Sequence, residues 1–162
     1  MKLLRWPVAL VAALVLLGGV AMGTHQPAAD DAVSKHMVAE ATLAAHFVDA
    51  ALKAGMDRDT INAVLRRIAD ETVISEFWVS DENGQIAFTN IDGVDFTFPT
   101  DPAADSQAAP FAALLTGDQT VVVQDAAPRV LDGAVFRYVG VAGVDQRRIV
   151  QVGLSAAELD EP

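Results

Sequence analysis

Residues 73–89 read VISEFWVSDENGQIAFT, and the fold turns on how this stretch is read. Ile74, Phe77, Trp78 and Val79 form a β-prone run, Asp81-Glu82-Asn83-Gly84 tolerates a tight turn, and Ile86 and Phe88 resume the strand pattern. This predicts a hairpin. Two more β-prone runs, VFRYVGV at 135–141 and RIVQVGL at 148–154, flank Ala142-Gly143-Val144-Asp145 and predict a second hairpin. The two hairpins are expected to form the two ends of one small antiparallel sheet.

Working outward, Val33, Met37, Ala41, Ala44, Val48 and Ala51 recur at spacings of four and three, and Val38, Leu43, Phe47 and Leu52 widen the stripe. The pattern predicts a long amphipathic helix, with Asp30 or Asp31 as its cap and Gly55 as its stop after Lys53. The small residues of the stripe let another helix approach closely, so one reading is a homodimer seam and the other is packing on the chain's own sheet. Ile61, Val64, Leu65 and Ile68 repeat the helical period in a second helix begun by Asp57 or Asp59. Beyond the first hairpin, residues 91–107 carry Gly93, Pro99 and Pro102 and predict a loop, with Val94, Phe96 and Phe98 alternating in one short extended piece. Pro110 is placed to start a short helix that Gly117 stops, and TVVVQ at 120–124 predicts a third strand. Ser155 and Glu158 have the spacing of a capping box.

The N-terminus gives an address. Lys2 and Arg5 precede an uncharged run of 16 residues, 8–23, and the next Lys or Arg is Lys35. Positive charge on one side of an apolar run predicts export of the remainder of the chain, through either a signal peptide cleaved after Ala21-Met22-Gly23 or a retained anchor, with the anchor favoured. The division expected is 1–23 as leader or anchor, 24–29 as linker and 30–162 as one domain. With 22 Asp and Glu against 11 Lys and Arg, the net charge of −11 argues against nucleic acid as a partner. Without cysteine there is no disulfide, thiol nucleophile or zinc–thiolate site.

Two stretches carry a resemblance to a known family. FWVSDENGQI at 77–86 and FRYVGVAGVDQRRIVQVG at 136–153, in the order helix, helix, hairpin, loop with short helix, three strands, resemble the PAS-like extracytoplasmic sensor modules called Cache domains. The resemblance spans most of residues 30–159. It implies an α+β fold, the long N-terminal helix packed on one face of a five-stranded antiparallel sheet, and a lid of loop and short helix over a small-molecule pocket on the other. VVV at 121–123 and VGV at 139–141 do not alternate cleanly with polar residues, which independently predicts a sheet covered on both faces. Such modules usually continue into a kinase, chemoreceptor or cyclase output domain. None occurs in these 162 residues, so the expectation is action through a separate membrane signalling protein.

Catalytic chemistry finds little footing. His25, His36 and His46 fall in the linker and first helix; the latter two are ten residues apart, about 80° off alignment. His46 with Asp49 makes only a two-ligand metal site. No phosphate-binding glycine loop or nucleophile elbow occurs, and Asp92, Asp95, Asp101 and Asp105 lack calcium-loop spacing. The expectation is therefore a non-enzymatic module needing no cofactor. The candidate ligand residues are Trp78, Phe96, Phe98, Phe111 and Tyr138 as walls, Arg129 and Arg137 as holders of a carboxylate, and Asp145 as acceptor for an amine. The alternative is a structural or interaction protein with a ligandless core, working through the long helix as a dimer or partner surface.

Overall fold

Asp57 begins the second helix by accepting the Thr60 backbone N–H at 2.8 Å, which settles the start between the two aspartates considered. The computed structural model describes residues 32–117, 119–129 and 132–159; the leader or anchor, the linker and the caps at Asp30 and Asp31 lie outside them. Helix α1 spans Ala32–Lys53 and α2 spans Arg58–Glu71. Between them Gly55, at φ +75°, closes α1. Met56 N–H donates to Ala51 C=O and Gly55 N–H to Leu52 C=O, both at 3.0 Å, the paired bonds of a left-handed helix stop. No helix among the described residues is long and apolar enough to cross a membrane.

The strands are β1 (Glu76–Ser80), β2 (Ile86–Thr89), β3 (Val121–Val123), β4 (Ala127–Pro128), β5 (Val135–Ala142) and β6 (Ile149–Ser155). All pair antiparallel in the order β2-β1-β6-β5-β3, with the two-residue β4 also on β5. This is the expected five-stranded sheet with one short strand added. The expected arrangement of the hairpins needs one correction: β1 pairs with β6, so the closing hairpin is central, and β3 takes the outer edge beyond it. A 3-10 turn at Ala109–Ala112 runs into α3 (Ala113–Thr116), and α4 (Ala156–Leu159) comes directly after β6.

Side chains alternate across a pleated strand, so a sheet covered on both faces has two cores. On one face Phe77, Val79, Val139, Val141, Val150 and Val152 pack against Met37, Ala41, Ala45 and Val48 of α1 and Ile61 and Leu65 of α2. On the other, Trp78, Ile86, Tyr138 and Ile149 pack against Phe98, Phe111, Leu114 and Leu115. The small residues of the α1 stripe therefore meet this chain's own sheet. Along β6, every residue from Ile149 to Leu154 is buried.

Candidate ligand-binding site

Residues 94–112 return over the sheet face opposite α1, and a cleft of about 370 Å³ lies between them and the strands. Pairing and tight packing hold this lid. Phe98 N–H donates to Gly84 C=O at 2.8 Å, Ile86 N–H donates to Phe96 C=O, and an isolated bridge joins Gln85 to Thr97. Gly84 permits this because it adopts φ +86° and a Cβ there would stand 2.4 Å from the Phe98 carbonyl oxygen. At the far end Gln124 Nε2 donates to Gln107 C=O at 2.6 Å, and Gln107 Nε2 donates to Pro128 C=O at 3.3 Å. Phe111 lies on Gly140 of β5, where a Cβ would meet the ring at 2.6 Å.

The cleft is walled by rings. Trp78, Phe96, Phe98 and Phe111 form a chain of edge-to-face contacts with centroid separations of 5.7, 5.1 and 6.2 Å. Tyr138, stacked on Phe136 at 5.6 Å, completes the wall. It lies across Gly153, its cross-strand partner on β6, where a Cβ would stand 2.6 Å from the ring.

Beside the rings is a buried ionic network that the sequence reading missed. Glu76, 5 % exposed, accepts from Trp78 Nε1 and Tyr138 Oη, both at 2.9 Å on Oε2, and pairs through Oε1 with Arg129 Nη1. Arg129 also holds Asp132 in a two-pronged pair, Nε to Oδ1 at 2.8 Å and Nη2 to Oδ2 at 2.7 Å, and its guanidinium lies 4.3 Å over the Phe136 ring. The Arg129 bonds, then that from the Ala134 N–H, hold the Asp132 carboxyl down at about 2. Burial first, then the Glu76 charge, pushes the Tyr138 hydroxyl above the usual phenol range. Gln151, 5 % exposed, also lines the cleft, and its side-chain amide has no hydrogen-bond partner among the described residues.

Six of the eight sequence candidates come together here: Trp78, Phe96, Phe98, Phe111, Arg129 and Tyr138. Two do not. Arg137 shares the parity of Val139 and Val141, so it points to the α1 face and donates to Ser34 Oγ at 3.2 Å. Asp145 sits in the closing turn, paired at 2.8 Å with the buried Arg148. Of the metal reading, Asp49 pairs with Lys53 at 2.8 Å, and no cluster of three potential ligands occurs among the described residues. Glu76 had a sequence signal: strand β1 is apolar at both parities, so a carboxylate in step with Trp78 had to be buried and partnered. Gln151 had the same signal on β6.

No protein-family model matches the chain, and no curated protein matches it. Among solved structures, the chain is similar to the extracellular domain of rpHK1S-Z16, described as a histidine kinase, with a TM-score of 0.52 and 13% identity. The likeness covers 78% of this chain and 53% of that one, so the chain spans about half the length of the structure it matches. At that identity the likeness shows the fold.

Proposed function

We propose that this chain is an extracytoplasmic sensory module that binds a small molecule in the cleft beneath residues 94–112 and passes the event on through its sheet to α1 and a partner protein. The observation that carries the reading is Gln151, 5 % exposed, whose amide opens into an apolar cleft of about 370 Å³ with no hydrogen-bond partner among the described residues. An amide that opens into a cleft offers its hydrogen bonds to whatever enters there, and a volume of this size suits a small ligand. The fold likeness to the extracellular domain of a protein described as a histidine kinase supports a sensory role, as does the export signal read at residues 1–23. The route to α1 is short. Tyr138 and Gln151 face the cleft, while their strand neighbours Val139, Val150 and Val152 pack on α1.

A thermal-shift screen of small metabolites against the purified full chain tests this, with Ala108→Trp as the control because Ala108 lines the cleft and a large ring there fills it. At least one compound is expected to raise the melting temperature of the unaltered chain and to leave the filled variant unmoved. A screen in which no compound separates the two chains overturns the reading.

A second reading has its own observation. Leu43 on α1 is 69% exposed, with Val33 and Leu52 on the same helix also exposed. In that reading α1 is a homodimer or partner surface and the core works without ligand. Light scattering on the full chain and on Leu43→Glu tests it: a dimer that the charge dissolves supports it, and a monomer in both removes the homodimer.

A further inference from the structure

We propose that the ligand of this cleft is a small organic cation, an ammonium group carried on an apolar or aromatic body. The proposal deepens the small-molecule reading above and rests on it. Four features of the cleft and its surroundings converge on this charge.

Arg129 is already occupied. Its Nε, Nη1 and Nη2 donate to Asp132 and Glu76, and its face lies on Phe136, so its charge is answered twice before any ligand arrives. A ligand carboxylate would have to compete with both bound carboxylates, against their repulsion. Among the described residues no other basic side chain lines the cleft.

Asp95 and Asp105 are the reverse case. Both line the cleft, both are exposed at its mouth, and neither side chain has a hydrogen bond or ion pair among the described residues. Two carboxylates with no third ligand among the described residues do not make a divalent-metal site, whereas each can answer one ammonium. Trp78, Phe96 and Tyr138 line the cleft, and an aromatic lining favours a cation over an anion wherever a ring face meets it. Gln151, at the wall and without a hydrogen-bond partner among the described residues, offers an amide donor and acceptor to any polar group that the ligand's body carries. The field of the whole chain, at net charge −11, draws cations to this mouth.

Three probes of similar shape and different charge test the proposal by titration calorimetry on the full chain: phenylethylammonium, 2-phenylethanol and 3-phenylpropanoate. The cation is expected to bind at least about tenfold more tightly than the alcohol, and the carboxylate most weakly. That advantage should shrink between about 0.05 M and about 0.5 M NaCl, and the Asp95→Asn/Asp105→Asn double variant should bring the cation's affinity down to the alcohol's. Both substitutions are on exposed side chains, and an unchanged melting temperature confirms that the fold is kept. If the alcohol or the carboxylate binds as tightly as the cation, the cation proposal falls while the cleft stands as a small-molecule site. If none of the three binds, the cation proposal falls as well, and the metabolite screen decides the small-molecule reading separately.

Discussion

Glu76 shows what one buried charge demands of its surroundings. Its carboxylate has lost water and is compensated by Trp78, Tyr138 and Arg129 together. Removing the cation alone leaves that charge without a counter-ion, so Arg129→Met is expected to lower stability by about 3 kcal/mol, the low end for breaking a buried pair because two hydrogen bonds remain. Glu76→Leu/Arg129→Met should cost less than the sum of the two single changes, read from urea midpoints at constant m. An additive double variant would show that the pair is not coupled. The outer half of the network predicts a pH dependence. The Asp132 carboxyl, lowered to about 2 in the folded chain, sits below the unfolded value of about 3.9, so the folded state binds fewer protons between the two. Its contribution is therefore complete above about pH 4 and lost as pH falls toward 2. The urea midpoint of Asp132→Asn should fall less steeply than that of the unaltered chain across this window, and parallel slopes would remove Asp132 from the acid transition.

Between residue and molecule, the turn at 81–85 acts as the hinge of the site, because the chain that closes β1 onto β2 is also the edge on which the lid is laid. Asp81 Oδ1 accepts from Asn83 and Gln85 N–H at 2.8 and 2.9 Å, fixing the turn, and Gly84 then accepts the lid's Phe98 N–H. Gly84→Ala puts a methyl group against the Phe98 carbonyl at a positive φ, so it should cost about 2 kcal/mol, within the range for such strain. The loss should be local first: hydrogen exchange at Phe98 N–H should accelerate more than at Val150 N–H in the central strand. Uniform acceleration would mean the lid has no separate opening. At this scale much was legible. Period-2 runs with turn residues between them located the hairpins, and the 3.6-residue stripe located α1 with its stop at Gly55. The strand order was not legible, since apolar runs say that β1 and β6 are buried but not that they are neighbours. Arg129 and Tyr138 were found as aromatic and basic candidates. Arg137 falls outside the site because adjacent strand residues face opposite ways, and the Glu76 network is hard to read in sequence because two of its three partners lie 53 and 62 positions away.

Taken whole, the molecule sets one sheet between two apolar layers and surrounds it with acid. Long-range repulsion at net charge −11 opposes compaction, while the exposed ion pairs, Lys53 with Asp49 and Arg66 with Asp92, contribute little each. Salt weakens both terms, so the sign of its effect tells which is larger. Among the described residues ion pairs on the surface are few, and two others, Glu76 with Arg129 and Arg148 with Asp145, are shielded from ions by burial. Screening should therefore relieve more repulsion than attraction. Raising NaCl from about 0.05 M to about 0.5 M is expected to raise the urea midpoint with m unchanged, most steeply at the low end where the screening length shortens most. Sodium sulfate should exceed NaCl at matched ionic strength, because it also strengthens apolar burial. A midpoint that falls with NaCl would mean that local pairing outweighs the overall charge. The acidic surface would then be a stabilising arrangement in its own right, and not a repulsive one that the two apolar layers hold together.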